Sequence, residues 1–283
     1  MEVIINLNEK FNPFGGYNAN WWQFPDNTTG VKVNEIPIAG NQIKIVARLN
    51  SNEELVRLML LRDAVQLCKP EKVNIFISYL PYARQDRKCC FGESFSLKLM
   101  ANLINLQNYK SVEVFDVHSG VASALIDNFV DVNNFAFVKH ALRYYPADYV
   151  LVSPDFGASK KIESLAKHLR YNREIVQANK VRDLENGKIK RLDITGNVKS
   201  KVCVIVDDIC SRGGTFIGLA DKLKELGAAQ VNLVVSHFED TCDKELIFNS
   251  LDQVITTNSF KDFEVPAGYG LKLIKIPLSA EIL

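Results

Sequence analysis

Short apolar stretches alternate with segments of helical periodicity along most of the chain. In residues 52–68, for example, apolar side chains recur every three to four residues, and Ser51 stands where a helix N-cap is expected. The predicted strands, apolar throughout, are 42–49, 73–77, 111–117, 149–152, 202–206 and 231–235, and the predicted helices are 52–68, 94–105, 159–169 and 216–226. This alternation predicts an α/β fold in which a mostly parallel sheet is covered by helices on both faces.

Two segments depart from this alternation. Residues 11–30 mix aromatic residues with Gly, Pro and Asn, which predicts a surface loop with an aromatic anchor. Residues 180–201 are polar and show no strong period, so they predict either a long loop or a hairpin that turns at Asn186-Gly187. The two halves of the chain share a strand–helix rhythm, which a duplicated α/β domain would explain.

Composition narrows the class of protein. The length of 283 residues allows two domains or one large one. Lys and Arg number 34 and Asp and Glu 33, a balance that argues against a nucleic-acid or membrane-surface protein. No apolar run approaches the ~18 residues that span a bilayer, and residues 1–10 lack the basic start of a signal peptide. The six cysteines form no CxxC pair, which predicts reduced thiols in a cytoplasmic protein.

The sharpest local signal for chemistry is the segment 201–215. An apolar strand ends in two aspartates, a glycine-containing loop follows, and a helix begins near Phe216. Ligands of parallel sheets bind where strand ends meet helix N-termini, and glycines let backbone N–H groups approach a phosphate. The predicted ribose-phosphate site is Asp207, Asp208, Ser211, Arg212, Gly213, Gly214 and Thr215. The carboxylates suit ribose hydroxyls or a metal-bound sugar; the alternative is a plain strand–turn–helix.

A second motif follows the predicted strand 73–77. Arg84, Arg87 and Lys88 stand beside Asp86 and close to two tyrosines. Cations and aromatic rings at a strand end suit a nucleotide, since rings stack and charges meet phosphates. Taken alone, the segment could equally be a solvated basic turn.

These motifs occur together in an order that resembles the ribose-phosphate diphosphokinase family. The segments that carry the resemblance are 81–88, 92–93, 96–102, 114–119, 153–157, 180–182, 207–215, His237 and 257–258. The resemblance implies two tandem phosphoribosyltransferase-like domains, residues 1–141 and 142–283, each a mostly parallel sheet flanked by helices. It implies transfer of the β,γ-diphosphoryl group of ATP to the anomeric hydroxyl of ribose 5-phosphate. It also implies a homo-oligomer, a dimer or a hexamer.

The resemblance further implies roles for individual residues. The residues that would bind ATP are Arg84, Gln85, Asp86 and Lys88, and those that would act in catalysis are Lys180, Arg182 and His118. His118 and Asp155 would hold Mg²⁺, which prefers oxygen ligands and keeps several waters. Each role has a plainer alternative: a structural histidine, an aspartate that caps the following helix, and solvated loop charges.

The chain also departs from the family pattern. Members usually carry an acidic residue at the start of the phosphate loop, where Ser211 stands beside Arg212 here. A more positive pocket could take a larger acceptor that contains ribose 5-phosphate, such as ADP-ribose. Residues 24–30 do not align cleanly with the family pattern. The resemblance therefore gives no clear counterpart there for the family's contact with adenine across subunits. Two further alternatives are a phosphoribosyltransferase, which does not need residues 84–88, and a non-catalytic regulatory homologue, which would lack Lys180, Arg182 or Asp155.

Overall fold

A computed structural model describes residues 2–33, 35–182, 189–239, 241–265 and 267–283; the side chains of residues 180–182 and 189–191 lie outside the described part. The strands are β1 (Glu2–Asn6), β2 (Tyr17–Asn18), β3 (Asn20–Gln23), β4 (Thr29–Lys32), β5 (Gln42–Ala47), β6 (Lys72–Ile77), β7 (Val112–Phe115), β8 (Phe129–Val132), β9 (Val150–Ser153), β10 (Val176–Arg182), β11 (Ile189–Thr195), β12 (Val202–Cys210), β13 (Gln230–Phe238), β14 (Gln253–Thr257) and β15 (Leu273–Ile276). The helices are α1 (Asn52–Leu67), α2 (Ser96–Asn105), α3 (Val121–Leu125), α4 (Phe135–Ala141), α5 (Ser159–Leu169), α6 (Gly214–Glu225) and α7 (Lys244–Ser250), with a 3-10 helix at Leu142–Tyr144.

Two sheets organise the molecule. The first has the strand order β2-β1-β5-β6-β7-β8, and all of its pairs are parallel. The second has the order β11-β10-β9-β12-β13-β14-β15, and its pairs are parallel except for β10 with β11. The predicted α/β fold with two mostly parallel sheets is confirmed. The predicted boundary at residues 141 and 142 falls between β8 and β9, at the end of α4.

Local signals account for the elements that frame the site. The Ser51 side chain accepts a hydrogen bond from the Glu54 N–H at 3.2 Å, so it caps α1 as predicted. The central strands β12 and β13 are buried along most of their length. This burial explains why their sequences are apolar without alternation.

Three apolar clusters form the core. One lies in the N-terminal half, one in the C-terminal half, and the third receives side chains from both. The shared cluster joins Phe76 and Phe115 of the first sheet to Val204 and Val234 of the second, with Phe137 of α4 packed among them. The two halves are therefore held against each other by buried apolar surface.

Several segments differ from the prediction. Residues 11–30 are not a simple loop, because β3 and β4 form an antiparallel hairpin on which Trp22 stays 44% exposed. The segment after Lys180 is the hairpin alternative: β10 and β11 pair antiparallel, while Asn186-Gly187 lies outside the described residues. Strand β12 continues to Cys210, four residues past its predicted end, because Ile209 and Cys210 still pair with β13.

Two general expectations can be compared with the structure. No helix in the described part of the chain combines the length and apolar character that crossing a membrane requires. None of the six cysteines, all of which lie in the described part of the chain, forms a disulfide.

Candidate active site

A cavity of about 700 Å³ lies between the carboxyl ends of strands from both sheets. Its N-terminal wall is formed by Arg84, Val117 and His118, which follow β6 and β7. Its C-terminal wall is formed by Asp155, Gly157, Ala158, Lys161, Asp207, Asp208, Ile209, Ser211, Arg212, Gly213, Gly214, Thr215 and Phe216. The structure thus brings Arg84, His118, Asp155 and the complete predicted ribose-phosphate site into one cleft.

The loop after β12 has the geometry of an anion cradle. Gly213 has a φ of 79°, and a Cβ there would lie 3.1 Å from the Ile247 side chain, so the turn requires glycine. Helix α6 begins at Gly214, and the Gly213 carbonyl accepts from the N–H groups of Phe216 and Ile217. The first N–H groups of a helix have no intrahelical acceptor and carry the positive end of its dipole. The loop can therefore bind a phosphate from both its backbone and the exposed Arg212 side chain.

The two aspartates at the end of β12 are in different electrostatic states. Burial and the adjacent Asp208 charge raise the pKa of Asp207 well above its ordinary range. Burial also raises the pKa of Asp208, but the hydrogen bond with His118 and the charge of Lys161 outweigh it and hold that pKa well below its ordinary range. The two carboxyl groups therefore differ in acidity, and Asp208 ionises more readily than Asp207.

His118, from the first half of the chain, contacts Asp208 in the second half. Its Nδ1 lies 2.6 Å from an Asp208 oxygen. This hydrogen bond raises the pKa of His118 above 6.5, against the opposing effect of burial. His118 was predicted to be a site residue, and its ring lies at the cavity wall, where Nδ1 donates to Asp208.

Lys161 is a site residue that sequence reasoning missed. Its Nζ lies 2.5 Å from Asp116 Oδ1, and Asp116 Oδ2 accepts hydrogen bonds from Ser236 and Asn134. Burial lowers the pKa of Lys161, but the surrounding carboxylates outweigh it and raise that pKa, so the ammonium stays charged. The available signal was its place in the first turn of the helix that follows Asp155.

Asp155 lines the cavity, and it is not the cap of the following helix, because the N-cap position of α5 is Ala158. Its Oδ1 accepts a hydrogen bond from the Ala158 N–H at 3.0 Å, which supports the turn into α5. His237 proves to be a core residue: it is fully buried, and its ring nitrogens contact the Ser259 hydroxyl and the Asp116 carbonyl. Burial lowers its pKa.

The rest of the predicted ATP segment lies away from the cavity wall. Gln85 receives the Leu97 N–H on its carbonyl, and Asp86 accepts a hydrogen bond from the Ser119 hydroxyl at 2.7 Å. The chain turns after Arg84, so Lys88 is exposed and, like Gln85 and Asp86, does not line the cavity. Their role in ATP binding stays a prediction. So does the catalytic role of Lys180 and Arg182, which occupy β10 while their side chains lie outside the described residues.

The donor set suits a Mg²⁺ ion that arrives with a nucleotide. No group of three or more His, Cys, Asp or Glu side chains within the described ranges is placed to hold a metal. Mg²⁺ is commonly bound by one or two carboxylates together with substrate phosphates and water. Asp155 at the cavity wall fits that pattern, because the remaining ligands would come from the substrate.

Known proteins resemble both halves of the chain. A family described as the N-terminal domain of ribose phosphate pyrophosphokinase matches residues 14–107, and one described as the phosphoribosyl transferase domain matches residues 125–272.

Whole-chain comparisons agree. The ribose-phosphate pyrophosphokinase of Hyphomonas neptunium is 30% identical over 251 residues, covering 85% of this chain and 78% of that protein. The ribose-phosphate pyrophosphokinase of Campylobacter jejuni is 29% identical over 271 residues, covering 92% and 85%. The crystal structure of phosphoribosylpyrophosphate synthetase from Mycobacterium smegmatis shares the fold, with a TM-score of 0.79 and 21% identity over 98% of this chain and 94% of that chain. With both domains matched in order, the chain belongs to the ribose-phosphate pyrophosphokinase family of enzymes.

Proposed function

We propose that the protein transfers the β,γ-diphosphoryl group of ATP to the anomeric hydroxyl of ribose 5-phosphate, giving phosphoribosyl pyrophosphate and AMP. The observation that carries the proposal is the shared cavity, in which Arg84 and His118 face the glycine loop after β12. Two anionic substrates held at these opposite walls would meet in the middle. The reaction needs positioning and charge neutralisation more than covalent help from the protein.

The loop and the aspartates suit the sugar phosphate. The α6 N-terminus and Arg212 offer donors to the 5-phosphate. Asp208, whose pKa is lowered, accepts hydrogen bonds from ribose hydroxyls as a carboxylate, and the Asp207 carboxyl group beside it offers further oxygens to the same hydroxyls. This arrangement fixes the ring with its anomeric oxygen directed into the cavity.

The triphosphate would lie against the N-terminal wall. Arg84 offers positive charge and hydrogen bonds to its phosphates, and His118, whose pKa is raised, lines the same wall. The anomeric oxygen forms a bond to the β-phosphorus, the bond from that phosphorus to the α,β-bridging oxygen breaks, and the hydroxyl proton passes to solvent. Lys180 and Arg182 on the β10–β11 hairpin are the proposed cations that stabilise the charge developing during transfer.

Magnesium is the proposed cofactor. Asp155 is the residue that would hold it, and a bound Mg²⁺ would neutralise the triphosphate charge. His118, on the opposite wall, would contact either the ATP phosphates or the metal.

Product analysis tests the proposal. ATP and Mg²⁺ are incubated with the protein alone, with ribose 5-phosphate and with ADP-ribose, and the products are identified by mass. We expect AMP in equal amount to phosphoribosyl pyrophosphate when ribose 5-phosphate is present, and none without an acceptor. Faster turnover with ADP-ribose would favour the larger acceptor; ADP in place of AMP, or no turnover with either acceptor, would contradict the proposal.

A further inference from the structure

Glu239, the residue after β13, joins the two walls of the cavity. One oxygen of its carboxylate accepts a hydrogen bond from the Tyr79 hydroxyl at 2.9 Å. The other oxygen lies 3.9 Å from Arg84 Nη1. The Glu239 side chain is only 15% exposed, whereas that of Arg84 is 52% exposed. A largely buried carboxylate from the C-terminal half therefore faces the cation of the N-terminal wall.

The backbone of Glu239 is fixed to the phosphate loop. Its N–H donates to the Cys210 carbonyl at 3.0 Å, and Cys210 immediately precedes Ser211. Directly before Glu239, Phe238 pairs with Cys210 across β13 and β12. The carboxylate thus projects from a point that is hydrogen-bonded to the start of the loop.

Tyr79 holds the carboxylate in place. Its ring packs edge-to-face against His237 and Phe260, with centroids 5.2 and 4.8 Å apart. Burial, together with the charge of Glu239, raises the pKa of Tyr79, so the hydroxyl remains a donor at any physiological pH. One partner of the ion pair is therefore rigid before any substrate binds.

We propose that Glu239 is a positioning residue that holds the Arg84 guanidinium at the cavity for the phosphates of the nucleotide. This inference rests on the proposed function, since it assigns a purpose to Arg84 at that site. A half-exposed arginine samples many rotamers, and fixing it on binding costs conformational entropy. An anchored carboxylate lowers that cost. At 3.9 Å the contact is long enough to leave guanidinium N–H groups available to phosphate oxygens.

The test uses Glu239→Gln, whose amide oxygen still accepts from Tyr79 but whose charge is gone. We expect the Kd and KM for ATP with Mg²⁺ to rise three- to tenfold, while kcat at saturating ATP and the Kd for ribose 5-phosphate change less than twofold. Glu225→Gln, which removes an exposed carboxylate paired with Lys222 at the far end of α6, is the matched control and should leave all four values unchanged.

A double-mutant cycle identifies the route of the effect. In an Arg84→Gln background, Glu239→Gln should no longer weaken ATP binding, because the group that it positions is absent. An equal effect in both backgrounds, unchanged ATP binding, or tighter binding from relief of charge repulsion would each overturn the inference.

Two further measurements keep the test decisive. If Glu239→Gln lowers the melting temperature, the Tyr79→Phe variant is measured instead. This variant removes the hydrogen bond to the Glu239 carboxylate but keeps the carboxylate itself. Weaker ATP binding by Tyr79→Phe supports the inference, and unchanged binding overturns it. Failure of the wild-type protein to bind ATP would overturn the proposed function and this inference with it. Wild-type binding without the Glu239 effect would overturn the inference alone.

Discussion

At the scale of single residues, neighbours of the same type have different chemical states. Asp207 and Asp208 are adjacent in sequence, yet only Asp208 contacts His118. That contact, with Lys161 nearby, stabilises the negative charge on Asp208, and this charge in turn disfavours ionisation of Asp207. Two adjacent aspartates therefore differ in acidity because of the partners that the fold places beside them.

Gly213 provides the sharpest residue-level prediction. Gly213→Ala puts a Cβ at a φ of 79° and 3.1 Å from Ile247, so we expect a loss of about 1–2 kcal/mol in the free energy of unfolding. Gly214→Ala is the matched control, because its added Cβ meets nothing within 4 Å and alanine favours the helix. Chemical denaturation measures both. Equal stability of the two variants would contradict the strain assigned to Gly213.

The pH dependence of His118 follows from its contact with Asp208. The folded-state pKa lies above the ordinary 6.5, so the ion pair contributes stability that is fully present below pH 6.5 and is lost as the pH rises through the raised value. NMR titration should place the His118 pKa above 6.5 in the wild type and lower in Asp208→Asn. The stability advantage of the wild type over that variant should shrink across the same interval. A wild-type pKa at or below 6.5 would contradict the assignment.

Site residues that lie next to each other in the sequence could be predicted from it. Site residues that reach the cavity only through contacts with distant parts of the chain could not. Asp207 to Thr215 form one strand–loop–helix unit, so their local pattern carried the prediction. Lys161 and Glu239 reach the site from a helix turn and a strand end with no motif around them. Their importance depends on partners about 45 to 160 positions away, such as Asp116 and Tyr79, which a local pattern does not contain.

At the scale of elements, the β10–β11 hairpin carries the two residues that are proposed to act in catalysis, Lys180 and Arg182. It extends the second sheet at its edge, next to β9, whose end leads to Asp155. This position suits the proposed role of Lys180 and Arg182 in closing over the transferring group.

Substitutions on the hairpin test that role. Lys180→Ala and Arg182→Ala should each lower kcat by about 10²–10³-fold. In the wild type, each positive charge would stabilise the transition state more than the bound substrates, and the substitution removes that charge. The Kd values for ATP and ribose 5-phosphate, measured by calorimetry, should change little. Lys199→Ala, an exposed lysine beyond β11, is the control and should retain wild-type kcat. Retained activity in both hairpin variants would contradict the assignment.

Elements were predictable where burial dictated composition. Strands such as β12 and β13 are buried on both faces, so their apolar runs stand out. The β3–β4 hairpin was missed because it carries exposed aromatic and polar residues that resemble a loop. The short strand β8 was missed because none of its four residues is buried, so its sequence shows no apolar run.

At the scale of the whole molecule, the shared apolar cluster makes the two halves interdependent. Phe76 and Phe115 pack with Val204 and Val234, and the polar contacts from His118 to Asp208 and from Lys161 to Asp116 lie at the same junction. The duplication of the fold was visible in the sequence. The meeting of the two strand edges in one cavity was not, because it depends on how the sheets pack. A homo-oligomer stays a prediction.

Coincident unfolding of the halves tests this interdependence. Both tryptophans, Trp21 and Trp22, lie in the N-terminal half, so their fluorescence reports that half alone. Leu223→Ala opens a cavity in the C-terminal core and should cost about 2–5 kcal/mol. We expect the fluorescence midpoint to shift as far as the circular dichroism midpoint. A shift in circular dichroism alone would show that the halves unfold separately.

The shared cluster also draws on both extremities of the sequence. Leu278 and Ile282 are buried in it together with Phe11, and the Leu278 N–H is bound by Asn258. During synthesis the first half emerges from the ribosome long before these residues do. The apolar surface around Phe11 therefore remains uncovered until Leu278 and Ile282 have been translated, and during that interval it is a binding surface for chaperones.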